Sequence, residues 1–137
     1  MKIISMNIRG IGGSIKRRYL STLISNKQAE MLCIQEMKCS ELNKEGVFQL
    51  WGSNEIEWVE NGANNSVGGL ITMWRKSCFQ LSSFCNGRNF TIIEGLWKAD
   101  TEVSVTIVNV YSSDSLGDKK AVWEEISKHR LVQLSKN

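Results

Sequence analysis

The stretch Lys2-Ile3-Ile4-Ser5-Met6-Asn7-Ile8-Arg9-Gly10-Ile11-Gly12-Gly13 decides how the rest of the chain is read. Residues 2–8 have the pattern of a buried strand, apolar on both faces. Three glycines then break the run, as happens where a backbone needs positive φ or a close approach. A basic, amphipathic stretch begins at Ile15. Strand ends at such turns lie at the surface, within reach of ligands. A second apolar run, Met31-Leu32-Cys33-Ile34, ends in the same way on Gln35 and Glu36.

Between the two runs, Ile15, Tyr19, Leu20, Leu23 and Ile24 recur at helical spacing. This predicts a helix from Ile15 to about Asn26, with Ser14 as its cap. Strand, helix and strand over this distance predict a βαβ-like opening and a parallel strand pair. Glu41 to Trp51 reads as one or two short helical turns, and Ile56 to Glu60 as a strand. Residues 61–66 form a turn-rich loop. Four strand-like runs follow: Val67 to Trp74, Phe79 to Phe84, Phe90 to Trp97 and Val103 to Tyr111. Their connections are too short for crossover helices, so antiparallel pairing is expected. From Asp118 to about Leu134 the helical period returns, with Val122, Trp123, Ile126, Leu131 and Leu134 on the expected buried side. The predicted fold class is α/β.

The 137 residues suit one domain, 1–137, and 42% hydrophobic with 23% charged residues is an ordinary globular composition. No apolar run is long enough to span a membrane as a helix, and the N-terminus carries no cleavable signal pattern. The expectation is an intracellular protein of the nucleus or cytoplasm, not secreted and without a membrane partner. Cys33, Cys39, Cys78 and Cys85 lack C-x-x-C spacing, and His129 is the sole histidine. That argues against zinc. Cys33, inside an apolar run, reads as a small core residue. The net charge is a mild +3, but the basic residues are unevenly placed, and Arg9, Lys16, Arg17 and Arg18 cluster beside the glycine turn. Such a cluster is either a solvated helix face or a rim that attracts phosphate.

Three strand ends carry polar groups: Asn7, Glu36 and Asn109-Val110-Tyr111. If the strands share or face a sheet, these groups converge on one edge. A carboxylate beside amide oxygens suits a hard cation such as Mg2+ or Mn2+. The plainer readings are a solvated terminus for Glu36, a turn-forming side chain for Asn7 and a rim aromatic for Tyr111.

The blocks Ile4-Ser5-Met6-Asn7-Ile8-Arg9-Gly10, Leu32-Cys33-Ile34-Gln35-Glu36-Met37-Lys38, Gly68-Gly69-Leu70-Ile71-Thr72-Met73-Trp74 and Asn109-Val110-Tyr111 stand in that order. In this the chain resembles the endonuclease/exonuclease/phosphatase family, and most the apurinic-type endonuclease domain of plant non-LTR (LINE-type) retrotransposons. The resemblance implies the N-terminal half of a four-layered α/β sandwich with mixed and antiparallel sheets. It implies Glu36 as ligand of a catalytic Mg2+ or Mn2+, Asn7 as support for metal and phosphate, and Tyr111 as a contact of the scissile phosphate. DNA is the implied partner, with Arg9, Lys16 and Arg17 on its backbone. Met6 stands where the family pattern has tryptophan, and Ser112-Ser113 where Gly-Pro or Ala-Pro is usual. The family's later Gly-Asp-Phe-Asn and Ser-Asp-His segments have no counterpart here, so a truncated domain, inactive or impaired alone, is expected. Such a half would be completed by a C-terminal partner half or would self-associate through exposed sheet surface.

Two other readings stay open. One is a non-catalytic retrotransposon remnant that binds nucleic acid weakly or not at all. The other is a dinucleotide-binding domain, since Gly10-Ile11-Gly12-Gly13 with Glu36 downstream imitates that fingerprint, although Ile15 occupies its third glycine position.

Overall fold

The computed structural model describes residues 1–38, 42–62, 68–112 and 114–136, with side chains as far as Arg130. Cys39, residues 63–67 of the expected loop and following strand, Ser113 and the side chains of Leu131 and Leu134 lie outside the described residues. The chain opens β1 (Ile3–Asn7), α1 (Ser14–Lys27), β2 (Met31–Gln35), α2 (Lys44–Trp51), β3 (Ile56–Asn61) and β4 (Leu70–Arg75). It continues β5 (Phe79–Gly87), β6 (Phe90–Lys98), β7 (Glu102–Val110) and α3 (Leu116–Lys136). A mixed four-stranded sheet has the order β1-β2-β4-β3, and a three-stranded antiparallel sheet the order β5-β6-β7.

The expected parallel pair is present, with Asn7 opposite Gln35 in its register. The later strands are antiparallel as expected, but β4 does not join its successors: it pairs with β2 and β3. The turn at residues 76–78 carries the chain into the second sheet, and Lys98 N–H bonds the Cys78 carbonyl there at 2.7 Å.

Four layers result. One apolar cluster joins Leu20 and Ile24 of α1 and Val47 and Leu50 of α2 to Leu32, Ile34, Ile71 and Met73 of the mixed sheet. The opposite face of that sheet gives Met31, Cys33, Val59 and Trp74 to a second cluster, against Phe79, Ile93 and Trp97. Phe90 and Ile92, on the far face of β6, meet Val122 of α3. β2 is buried on both faces, which explains its unbroken apolar run.

Three expectations need correction. β1 is not buried on both faces: Ile4 and Met6 pack on the helix side, while Ile3, Ser5 and Asn7 are exposed. The cause is its place at the sheet edge. Ser14 is the first helical residue of α1, not its cap; Gly13 holds the cap position without a side-chain bond. Helical spacing also misassigned faces. Ile15 and Tyr19 point to solvent, as does Trp123 of α3, because Leu20, Ile24 and Val122 already fill the buried stripes. α2 starts at a cap that the sequence reading did not single out, Asn43, whose side chain accepts from Gly46 N–H at 2.7 Å.

Gly95 shows how closely the second sheet is packed. A methyl group there would meet the Gln80 carbonyl oxygen and the Phe79 ring. Overpacking of a close-fitted interior costs about 1–3 kcal/mol. Gly95→Ala should therefore lower stability by about that amount in urea unfolding; an unchanged midpoint would show that the Gln80 backbone and the Phe79 ring both yield freely.

Candidate functional site

The two parallel strands end in matched, strained turns. Arg9, Glu36 and Lys38 all hold φ between +51° and +54°, a region that costs a residue with a Cβ roughly 1–3 kcal/mol. Backbone bonds hold the distortion in place. Gly10 N–H bonds the Glu36 carbonyl at 2.7 Å, Ile11 N–H that of Met37 at 2.9 Å, and Lys38 N–H that of Gly68 at 2.8 Å. Gly10 and Gly68 have φ of +100° and +73°, which glycine alone adopts without strain. Ile11, completely buried, anchors the turn from within.

This geometry brings Asn7, Glu36 and Tyr111 together. The Asn7 side-chain oxygen accepts from Arg9 N–H at 3.2 Å, the local turn that such a residue is expected to form. Its amide group is then left to donate to Glu36, with which the Asn7 side chain is hydrogen-bonded. The Tyr111 hydroxyl reaches the same carboxylate. The Asn7 hydrogen bond is the main cause that holds the Glu36 carboxyl below its ordinary value of 4.5. Partial burial opposes it, and the Tyr111 hydrogen bond and the charges of Lys38 and Arg9 add to it. Burial raises the Tyr111 hydroxyl above its ordinary value of 10, and Glu36 and Asp114 push it further.

The basic residues of the turn are placed differently from one another. The Lys16 ammonium donates to the Ile8 and Arg9 carbonyls, each at 2.9 Å, and the Arg17 guanidinium to the Ile11 carbonyl at 2.8 Å. Both staple the turn. Arg9 is exposed beside Glu36. His129 lies within α3, 3.9 Å from Glu94. Cys33 is a core thiol, pushed up to about 11 by burial. A groove of about 610 Å³ lined by Lys44, Phe48, Trp58, Trp74, Lys76 and Leu81 lies at the other end of the strands.

Two residues that the sequence places at strand ends without a role of their own, Gln35 and Asn109, are bonded to each other. Gln35 donates to Ser5 Oγ at 3.0 Å and to Asn109 Oδ1 at 2.8 Å. Asn109, buried, donates to the Ile71 carbonyl and Thr72 Oγ1 at 3.1 Å and to the Ile34 carbonyl at 3.3 Å. The signal was parity: Val105, Ile107 and Asn109 share one face of β7, so an amide occupies a core position.

Layers and sheet order define a four-layered α/β sandwich with one mixed and one antiparallel sheet. No protein-family model and no curated protein matches the sequence. Solved structures do match. The AP endonuclease LMAP from Leishmania major superposes with a TM-score of 0.60 at 15% identity, over 88% of this chain and 43% of that one. The APE2 catalytic domain of Xenopus laevis gives 0.60 at 17% identity, over 87% and 47%. TDP2 from Caenorhabditis elegans gives 0.61 at 12% identity, over 98% and 43%. The chain thus spans less than half the length of these three structures, and at such identities the likeness is one of fold.

Because the folded-state pKa of Glu36 is lowered, its contribution to stability is fully present above 4.5 and is lost as pH falls through the lowered value. The stability advantage of the wild type over Glu36→Gln should be constant above that pH and shrink below it. In 13C-detected titrations, Asn7→Ala should raise the Glu36 midpoint more than Tyr111→Phe does. Equal midpoints in all three proteins would remove Asn7 as the main cause.

Proposed function

We propose that the chain carries the metal- and phosphate-binding part of a divalent-metal-dependent phosphodiester hydrolase acting on DNA, of the apurinic-type endonuclease kind found in LINE-type retrotransposons. The observation that carries this reading is the convergence of Asn7 and Tyr111 on the Glu36 carboxylate at the end of the parallel strand pair. The donors fit Mg2+ or Mn2+ in kind, both at an accessible strand end: Glu36 is a charged oxygen ligand, and Asn7 adds only the remaining lone pair of a side-chain oxygen that already accepts from Arg9 N–H. They are few in number. Among the described residues no group of three or more His, Cys, Asp or Glu side chains could hold a metal ion. An ion at Glu36 would take most of its coordination from water, and affinity would be low.

When bound, such an ion polarises phosphoryl oxygens and stabilises the leaving oxygen. Glu36 anchors it, and Asn7 fixes the carboxylate's orientation. The Tyr111 hydroxyl, kept protonated, turns its single O–H from Glu36 to a phosphate oxygen when substrate is bound. Arg9 lies where it can meet the DNA backbone, and Lys16 and Arg17 hold the turn that presents it, with their remaining donors available to phosphate. The exposed Ile3, Val103 and Val108 on the edge strands β1 and β7 favour association with a further polypeptide segment or a second copy.

A second reading, a non-catalytic remnant that binds nucleic acid weakly, is favoured by the sparse ligand set. The dinucleotide alternative has lost its basis. The amides of Gly10 and Ile11 are spent on Glu36 and Met37, and β2 pairs on its second edge with an antiparallel strand.

The test is cleavage of abasic-site and supercoiled DNA with Mg2+ or Mn2+, beside Mn2+ binding. Weak Mn2+ binding lost in Glu36→Gln is expected, with cleavage lower than that of a complete enzyme by more than the roughly 100- to 10,000-fold that positioned acid–base groups supply. Mn2+ binding that survives Glu36→Gln would overturn the assignment. Robust cleavage abolished by that change would show that this chain suffices for turnover.

A further inference from the structure

The site joins two sheets that are separate hydrogen-bonded ladders. Asn7 and Glu36 end strands of the mixed sheet; Tyr111 follows β7 of the other, and its backbone N–H bonds Asn89 within its own hairpin at 2.8 Å. Glu36 and Tyr111 can keep one geometry only if something fixes the distance between the layers at this end. Most of the interlayer contact is apolar and non-directional.

We propose that Ser5, Gln35 and Asn109 form an interlayer latch whose role is to position Asn7, Glu36 and Tyr111. Each latch residue lies one or two positions before a site residue: Ser5 before Asn7, Gln35 before Glu36, Asn109 before Tyr111. The Gln35 side-chain nitrogen reaches Ser5 of β1 and Asn109 of β7 and lies 3.3 Å from the Cys33 carbonyl of its own strand, so a single amide ties β2 to a neighbour in its sheet and to the facing sheet. The orientation of Asn109 has no alternative. Its oxygen accepts from Gln35, while its nitrogen faces the carbonyls of Ile34 and Ile71 and the Thr72 hydroxyl. A flipped amide would set oxygen against two carbonyls and nitrogen against the Gln35 donor. A buried amide so constrained, at 2% exposure, fixes register where an apolar side chain would allow sliding. The latch residues act through the site residues and touch no ligand. This inference rests on the proposed metal and phosphate site for its purpose, but not for its geometry.

The experiment uses the 137-residue chain. In the wild-type background, Glu36→Gln should shift the Tyr111 ring resonances, because their hydrogen bond is altered. The same change is then made in Gln35→Leu and in Gln35→Leu/Asn109→Leu, where both amides of the pair are removed together. Ile93→Val, which deletes one core methyl group, controls for stability. The expected result is that Tyr111 loses most of its response to Glu36→Gln in both latch backgrounds and keeps it in the Ile93→Val background. Mn2+ affinity should fall about 10-fold in the latch variants, the lower end of what supporting hydrogen bonds contribute. An undiminished Tyr111 response in folded Gln35→Leu would overturn the latch, as would an equal loss in Ile93→Val. If the double variant does not fold, Gln35→Leu decides. A wild-type chain that binds no Mn2+ would sink the proposed function and leave the Tyr111 response to judge the latch.

Discussion

The spacing between the two sheets governs everything at the site end of this molecule. Sheet ladders fix strands within a layer, but nothing in a ladder sets one layer against another. Toward the β2 start, Trp74, Phe79 and Trp97 fill the gap, with the Phe79 ring edge-on to Trp74 at 5.3 Å between centroids. Such rings exclude water and supply most of the adhesion. Toward the β2 end, side-chain amides take over. Asn109 binds β2 and β4, Asn61 donates to the Gly87 and Phe90 carbonyls at 2.9 Å, and Asn86 donates to the Glu60 carbonyl at 2.8 Å. Apolar packing gives this interface its strength, and hydrogen bonds give it a register.

The strain stored in the turns depends on that frame. Arg9, Glu36 and Lys38 hold left-handed conformations because the Gly10, Ile11 and Lys38 amides are tied to neighbouring carbonyls. Lys16 and Arg17 satisfy carbonyls that the distortion leaves without ladder partners. The arrangement turns the Glu36 side chain out of the ladder and toward Asn7 and Tyr111, while Met37 returns to the core. A regular strand would have sent residue 36 to a fixed face of the sheet.

The same frame explains why the Glu36 carboxyl lies below its ordinary value although partly buried. Two hydrogen-bond donors and two nearby cations outweigh the burial that opposes ionisation. Tyr111 experiences the opposite balance, since both burial and its acidic neighbours favour the neutral hydroxyl.

The elements themselves were legible from the sequence because they follow from local patterning. The apolar run of β2, the helical spacing of α1 and the short connections after β5 were each enough to predict type and order. The strand-end positions of Asn7, Glu36 and Tyr111 were legible too, since polar residues that close apolar runs must emerge at an edge. Which face each residue takes was not. Ile15, Tyr19 and Trp123 lie at apolar positions of their helices yet face solvent, because burial depends on what another element offers and not on spacing alone. Ile3 is exposed because β1 came to lie at an edge, and β4 joined β2 and β3 because the turn at residues 76–78 changes layer. The amides of Gln35 and Asn109 are 74 positions apart. The sequence by itself determined the strands, the helices and the residues at their ends; only the tertiary structure brought those ends together, because a contact between layers depends on the packing of every element between them.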